Sequence, residues 1–265
     1  MSIKILAAIL FAGLLGNANA ALIAGDVALI GWIDNGAPDS FAFVTLANVS
    51  AGETIYFTDN GWTGSQFRGA SASDGNGSEE LLRWTANATV TAGTIVLSSN
   101  IGASSWTWTK SGAIPGTTSG NFADVSLSQS GDQLHAFQGP SNNPLNNPSG
   151  HLFVLDDTGA FEAATSASTS AIPNGLGAGS TAITFDQNGS SQNFMGVNAS
   201  VLGGPAKSRE QWLATFADAS NWNFGGAGTL PAGSIAVAAV PEPETYSLML
   251  LGLGLVGWFS RQPKS

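Results

Sequence analysis

Short runs in which apolar and polar residues alternate, or in which β-branched and aromatic residues crowd together, recur between residues 26 and 240. Gly, Asn, Asp and Pro separate them. Alternation sends successive side chains to opposite faces of a strand, and the separating residues are turn formers. The runs predict strands at Asp26–Trp32, Ser40–Asn48, Thr54–Thr58, Leu81–Thr85, Thr94–Ser98, Trp106–Lys110, Gln133–Gln138, Leu152–Leu155, Ala182–Phe185 and Ser234–Val240. Intervals of roughly 10–20 residues with turn chemistry between them are the mark of a sandwich or barrel. Three segments share one turn-into-strand phrase: Val49-Ser-Ala-Gly-Glu-Thr-Ile55, Val90-Thr-Ala-Gly-Thr-Ile95 and Leu230-Pro-Ala-Gly-Ser-Ile235. Their offsets, 41 and 140 residues, are unequal, so the phrase is reused turn chemistry and not a repeat period. One helix is predicted near Ser208–Asp218. Ser208-Arg-Glu-Gln211 forms a capping box, Trp212, Phe216 and Ala219 then share a face, and Asn221 ends the element.

Both ends of the chain break this pattern. Lys4 supplies a positive n-region, Ile5–Leu15 an apolar h-region, and Ala18-Asn19-Ala20 a small-x-small cleavage site, the layout of a secretory signal peptide over residues 1–20. At the other end Pro241-Glu242-Pro243 precedes an uncharged run from Tyr246 to Phe259, then Arg261 and Lys264. The prolines lack N–H donors and hold their neighbours extended, which offers a protease a graspable segment. The run of 14 uncharged residues covers roughly 21 Å as a helix, shorter than the ~30 Å hydrocarbon core. Arg261 and Lys264 place the C-terminus on the cytoplasmic side. Tripeptide, short apolar helix and basic end together resemble the PEP-CTERM tail of Gram-negative bacteria. That resemblance implies sorting by an exosortase, with a transient membrane anchor in residues 241–265. Gly252, Gly254 and Gly257 also spell G-x-G-x-x-G, but no strand precedes them, so the nucleotide-binding reading fails.

Composition then narrows the function. Residues 21–240, the expected β-sandwich domain, carry 16 acidic and 5 basic side chains, a formal net charge of −11. Such a surface repels nucleic acid and anionic headgroups and is compatible with polysaccharide, divalent cations or a protein partner. The chain has no cysteine, which removes disulfides, thiol nucleophiles and thiolate metal sites.

Gly25-Asp26-Val27-Ala28, Phe41-Ala42-Phe43-Val44, Ile55–Trp62, Phe67-Arg68, Trp84-Thr85, Gly131-Asp132-Gln133-Leu134 and Ser220-Asn221-Trp222 resemble a recurrent bacterial exported domain across most of residues 22–224. Their order is similar to lamin-tail-type, immunoglobulin-like sandwiches. The resemblance implies a fold and a generic surface role, and it transfers no catalytic residue.

Candidate chemistry is sparse. His135 lies mid-strand and His151 opens the next strand; neither belongs to a known catalytic spacing, and there is no nucleophile elbow, zincin motif or P-loop. Asp26, Asp59, Asp132 and Asp156 lie at strand ends, where turn formation is the default, although a carboxylate pair for glycoside hydrolysis is set by space and not by spacing. Asp74, Asn76, Ser78 and Glu80 place oxygen side chains at alternate positions with glycines between, as a calcium loop requires; it departs from the EF-hand pattern, and a solvated loop is the simpler reading. Trp106 and Trp108 share a strand face: buried they are core, exposed they are a stacking platform for sugar. The reading is a mostly-β, immunoglobulin-like or lamin-tail-like sandwich with one short helix, no cofactor and calcium as an option. Its expected role is that of a non-enzymatic exported surface or matrix protein associated with exopolysaccharide. A polysaccharide hydrolase, or a calcium-dependent adhesin or sugar-binding module, is the alternative.

Overall fold

A computed structural model of the chain describes residues 21–34, 39–68, 81–99, 104–111, 127–141, 144–166, 168–187, 193–238 and Gly252. In order they form β1 (Val27–Ile33), β2 (Ser40–Thr45), β3 (Thr54–Thr58), β4 (Leu81–Ala86), β5 (Ile95–Leu97), β6 (Trp106–Ser111), β7 (Gln133–Gln138), β8 (Gly150–Asp156), β9 (Ala182–Thr184), β10 (Phe194–Val197), α1 (Ala199–Leu202), α2 (Arg209–Ala217) and β11 (Trp222–Gly225). One sheet has the order β11-β10-β1-β2-β5 and the other β6-β4-β3-β7-β8-β9. All pairings are antiparallel except β8 with β9. The protein is a mostly-β, two-sheet sandwich.

Aromatic residues at alternate positions join the sheets. Phe41 and Phe43 of β2 meet Phe57 of β3 at 5.0 and 4.9 Å between ring centroids. Trp84 of β4 packs edge-on to Phe43 at 5.4 Å, and Trp108 of β6 edge-on to Phe41 at 5.8 Å. Edge-to-face contacts at these distances add to the large apolar area each ring removes from water. Register then assigns every side chain to a face. Trp32 opposes Phe41, and Leu134 opposes Leu155, so these point between the sheets.

The outer faces are covered too, unlike those of a simple two-sheet sandwich. Val27–Ile30 of β1 is buried on both sides, which is why it reads as a continuous apolar run. On the outer side of the six-stranded sheet, Tyr56, Trp62, Phe67, Leu81, Phe137 and Leu145 form a second, smaller core.

Helix α2 begins as its sequence predicts: the Ser208 hydroxyl accepts from Gln211 N–H while Gln211 reaches back to the Ser208 N–H. It ends at Ala217, however, and Ala219 belongs to a 3₁₀ turn, Ala219–Asn221. Arg209 pairs with Asp26 at 2.6 Å and ties the helix to the start of β1. The expected strand Ser234–Val240 is a correction. Residues up to Ala238 make only isolated bridges, Thr94↔Ser234 and Lys207↔Val237, because β5 is three residues long and offers little edge to extend. Strands β10 and β11 and the four-residue α1 were not legible; Phe194-Met-Gly-Val197 is too short to show a period. Residues 1–20, the candidate calcium loop 74–80 and the tail tripeptide lie outside the described residues.

The shared turn phrase has a shared conformation. Gly52, Gly93 and Gly233 have φ of 88°, 91° and 98°, and the three turns meet at one end of the sandwich through the bridges Val49↔Val90 and Thr94↔Ser234. A side chain at Gly93 would drive into the Ile235 carbonyl, whereas the space around Gly52 is open. Gly93→Ala should therefore cost about 2–4 kcal/mol and Gly52→Ala only the conformational cost of about 1 kcal/mol. Chemical denaturation of the two variants checks this; equal losses would mean that the close approach at Gly93 is not maintained.

Candidate functional site: a carboxylate-lined end and a buried histidine pair

The end of the sandwich opposite the Ala-Gly turns collects aspartates. Asp34 follows β1, Asp39 precedes β2, Asp59 follows β3, Asp132 precedes β7, Asp156 ends β8 and Asp157 follows it. Strand parity sorts them. Asp34 continues the inward face of Trp32; Asp132 and Asp157 continue that of Leu134 and Leu155. These carboxylates cap the aromatic core from both sheets. Asp34, Asp59, Asp132, Asp156 and Asp157 are all buried, and Asp132 and Asp156 make the short-range bonds of turns, to Ser128 N–H and to Thr158 N–H. Asp26 is buried as well, in its pair with Arg209.

Most of these groups have donors. The Asp132 carboxylate accepts from Ser128 N–H and from Gln133 N–H, and the Asp132 N–H donates to Asp157 Oδ1 at 2.6 Å. Asp39 Oδ2 accepts from Leu127 N–H at 2.8 Å, so the segment 127–132 lies across this end. Asp156 Oδ1 accepts from Thr158 N–H, Thr158 Oγ and Thr184 Oγ, a turn that Gly159 completes with φ 88°. Burial, with Asp39 nearby, pushes the Asp34 carboxyl up to about 6. Burial, reinforced by Asp156 and Asp34, pushes Asp157 up to about 7.

The two histidines belong to the outer core of the six-stranded sheet. His151 packs edge-on to Trp62 at 4.5 Å and to Phe67 at 5.6 Å; His135 packs on Phe67 at 5.2 Å. His135 Nε2 lies 3.1 Å from Ser170 Oγ, a pairing of residues 35 positions apart that sequence reasoning missed. It is not an activated nucleophile. The Ser170 hydroxyl accepts from Trp62 N–H at 3.0 Å and donates to Ala171 O at 2.9 Å, which assigns the Nε2 proton to His135 as donor. A nucleophilic serine requires the opposite direction, hydroxyl to imidazole. The pair pins the Trp62 and Ala171 loops onto the sheet.

Trp108 sits inside the main core, and Trp106 is half-buried against it, 6.3 Å from Trp84. Only Trp106 keeps an exposed part. Among the described residues no group of three His, Cys, Asp or Glu side chains is placed to hold a metal, and no helix is long and apolar enough to cross a membrane.

Residues 239–264 match the PEP-CTERM protein-sorting motif. The chain carries an exosortase sorting signal. The PEP-CTERM motif implies export, a membrane-anchored sorting intermediate and processing by an exosortase. No curated protein and no solved structure matches the chain.

Burial holds His151 down at about 4 and His135 well below its ordinary range, the latter helped by His151. A depressed base stabilises the fold fully above the unfolded value of about 6.5 and loses that contribution as pH falls toward 4. The raised Asp34, Asp156 and Asp157 act in the opposite sense, so the histidine contribution shows only by difference. Between pH 7 and pH 4 the stability of His151→Phe relative to the parent should shift in the variant's favour by about 2 kcal/mol, allowing for residual solvent. A pH-independent difference in urea midpoints would refute the buried-neutral assignment. Trp108→Ala should cost about 3–5 kcal/mol, as the loss of a buried indole does; a melting temperature within a degree of the parent's would contradict its place in the core.

Proposed function

We propose that the protein is a non-enzymatic, exported surface or matrix protein, anchored in the inner membrane by its tail until an exosortase processes it, and then associated with exopolysaccharide. The sorting motif at residues 239–264 carries this reading. Two further observations support it. At the Ser170–His135 contact the hydroxyl proton is directed away from the imidazole, and the strand-end carboxylates are buried in the ends of the core. The net charge of −11 over residues 21–240 favours partners that are not polyanions, such as neutral glycans.

A second reading has one observation in its favour. Asp157 at about 7 and Asp34 at about 6 titrate where a general acid of a polysaccharide hydrolase would. At 2% and 4% exposure, both would have to be uncovered to meet a substrate. The non-enzymatic reading needs no such opening.

The processing step gives the decisive test. Replacing Pro241, Glu242 and Pro243 with Ala should leave an uncleaved chain in the inner membrane, seen as a larger species in membrane fractions. Mass spectrometry that finds the same mature C-terminus in the variant and the parent would overturn the assignment. Turnover of surface polysaccharide that disappears in Asp157→Asn would replace the non-enzymatic reading with the hydrolase.

A further inference from the structure

Residues 230–238 form a strap over the end of the sandwich where the Ala-Gly turns meet. Ile235 N–H donates to Gly93 O at 2.8 Å, and Ile95 N–H donates to Gly233 O at 3.2 Å. The strap then crosses to α2. Lys207 N–H and Trp212 Nε1 both donate to Ala236 O, at 3.1 and 3.0 Å, and Ala238 N–H donates back to Lys207 O at 2.8 Å. Ile235 is buried and Val237 packs against the main core, whereas Ser234 and Ala236 face solvent. These contacts are isolated bridges, Thr94↔Ser234 and Lys207↔Val237, and not a strand ladder. The strap can therefore come away while the sheets stay paired, a local opening that costs far less than unfolding.

The sorting motif begins at residue 239, directly after the last of these bonds. Pro241 is the third residue beyond Ala238, so the tripeptide begins at most about 11 Å from the strap's final anchor. A protease that binds an extended segment uses the same backbone N–H and C=O groups that a strand would pair. Upstream of the motif those groups are already committed to Gly93, Lys207 and Trp212. The bulk of the sandwich adds to the obstruction: a domain of this length has a radius of gyration of about 17 Å, more than the closed tether can span. Freeing residues 234–238 would lengthen the tether by roughly 17 Å and release their backbone groups. Taking residues 239–264 as the processed sorting signal of the function proposed above, we infer that the strap is a latch on processing. The exosortase takes the tail from molecules in which residues 234–238 have left Gly93, Lys207 and Trp212 while the sandwich remains folded. The strength of the strap then sets how long the anchored intermediate persists.

The test follows the full chain in cells that carry the exosortase, by pulse-chase conversion of membrane-bound precursor to processed form. The bonds on either side of Thr94 and Ser234 make them a non-hydrogen-bonded antiparallel pair, whose Cα separation of about 4.5 Å admits a disulfide. The chain has no cysteine of its own, so Thr94→Cys with Ser234→Cys clamps the strap without competing thiols. The clamped chain should stay as precursor and be processed once reductant is added, while each single substitution behaves as the parent. Ten Gly and Ser residues inserted between Ala238 and Ala239 supply the missing reach and should restore processing to the clamped chain, which separates a closed latch from a lost fold. Ile235→Ala loosens the buried anchor and should be processed at least fivefold faster than the parent. If the clamped chain does not accumulate, Ile235→Ala carries the comparison alone. Parental processing of a clamped chain whose disulfide has formed, failure of the spacer to restore it, or a parental rate in Ile235→Ala would each overturn the latch. The Pro241, Glu242 and Pro243 replacement distinguishes the two failures: if that variant stays uncleaved while the clamped chain is processed normally, the latch alone is wrong.

Discussion

The stacking of Phe41, Phe43, Phe57, Trp84 and Trp108 between the two sheets is the contact on which the rest depends. Five rings from four strands remove a large apolar area from water, and in a chain with no cysteine that burial takes the place that covalent cross-links hold in many exported domains. Because those rings fix which way β2, β3, β4 and β6 face, they also fix where every neighbouring side chain goes. A one-residue slip of β2 would turn Phe41 and Phe43 outward and bring Ala42 and Val44 in.

The same register generates the two polar features of the interior. Continuing the inward parity of β1, β7 and β8 past their apolar residues puts Asp34, Asp132 and Asp157 on inward faces at the same end of the sandwich. Continuing the outward parity of β7 brings His135 beneath the loops that carry Trp62 and Ser170. At the histidines the arrangement is closed by hydrogen bonds and aromatic packing, and neutrality is the cost of burial. At the carboxylates, backbone N–H groups of the 127–132 segment serve Asp39 and Asp132, and burial leaves Asp34 with a raised pKa.

Address and activity are written in different parts of this molecule. The sorting motif occupies residues 239–264, beyond the last of the strands in sequence. The sandwich contributes acidity, a hydrophobic core and a surface poor in charge. The motif implies export and a membrane-anchored intermediate, and nothing in it constrains what the domain binds.

What the sequence determined by itself was local. Nine of the strands could be read from alternation and turn residues, because a half-buried strand advertises its period over five or six positions. The Ser208 capping box and the three Ala-Gly turns were legible because each is closed by neighbours in the chain. The sorting tail was legible for the same reason. Strands β10 and β11 were too short to carry a period, and the expected strand at 234–240 lacked an edge long enough to pair with. The tertiary structure alone decided that Ser170 would sit on His135, that Asp34 would adjoin Asn193, and that strand-end aspartates would be buried and not solvated. Those contacts join residues from about 35 to 160 positions apart, and their meeting depends on sheet order and face, which no single strand specifies.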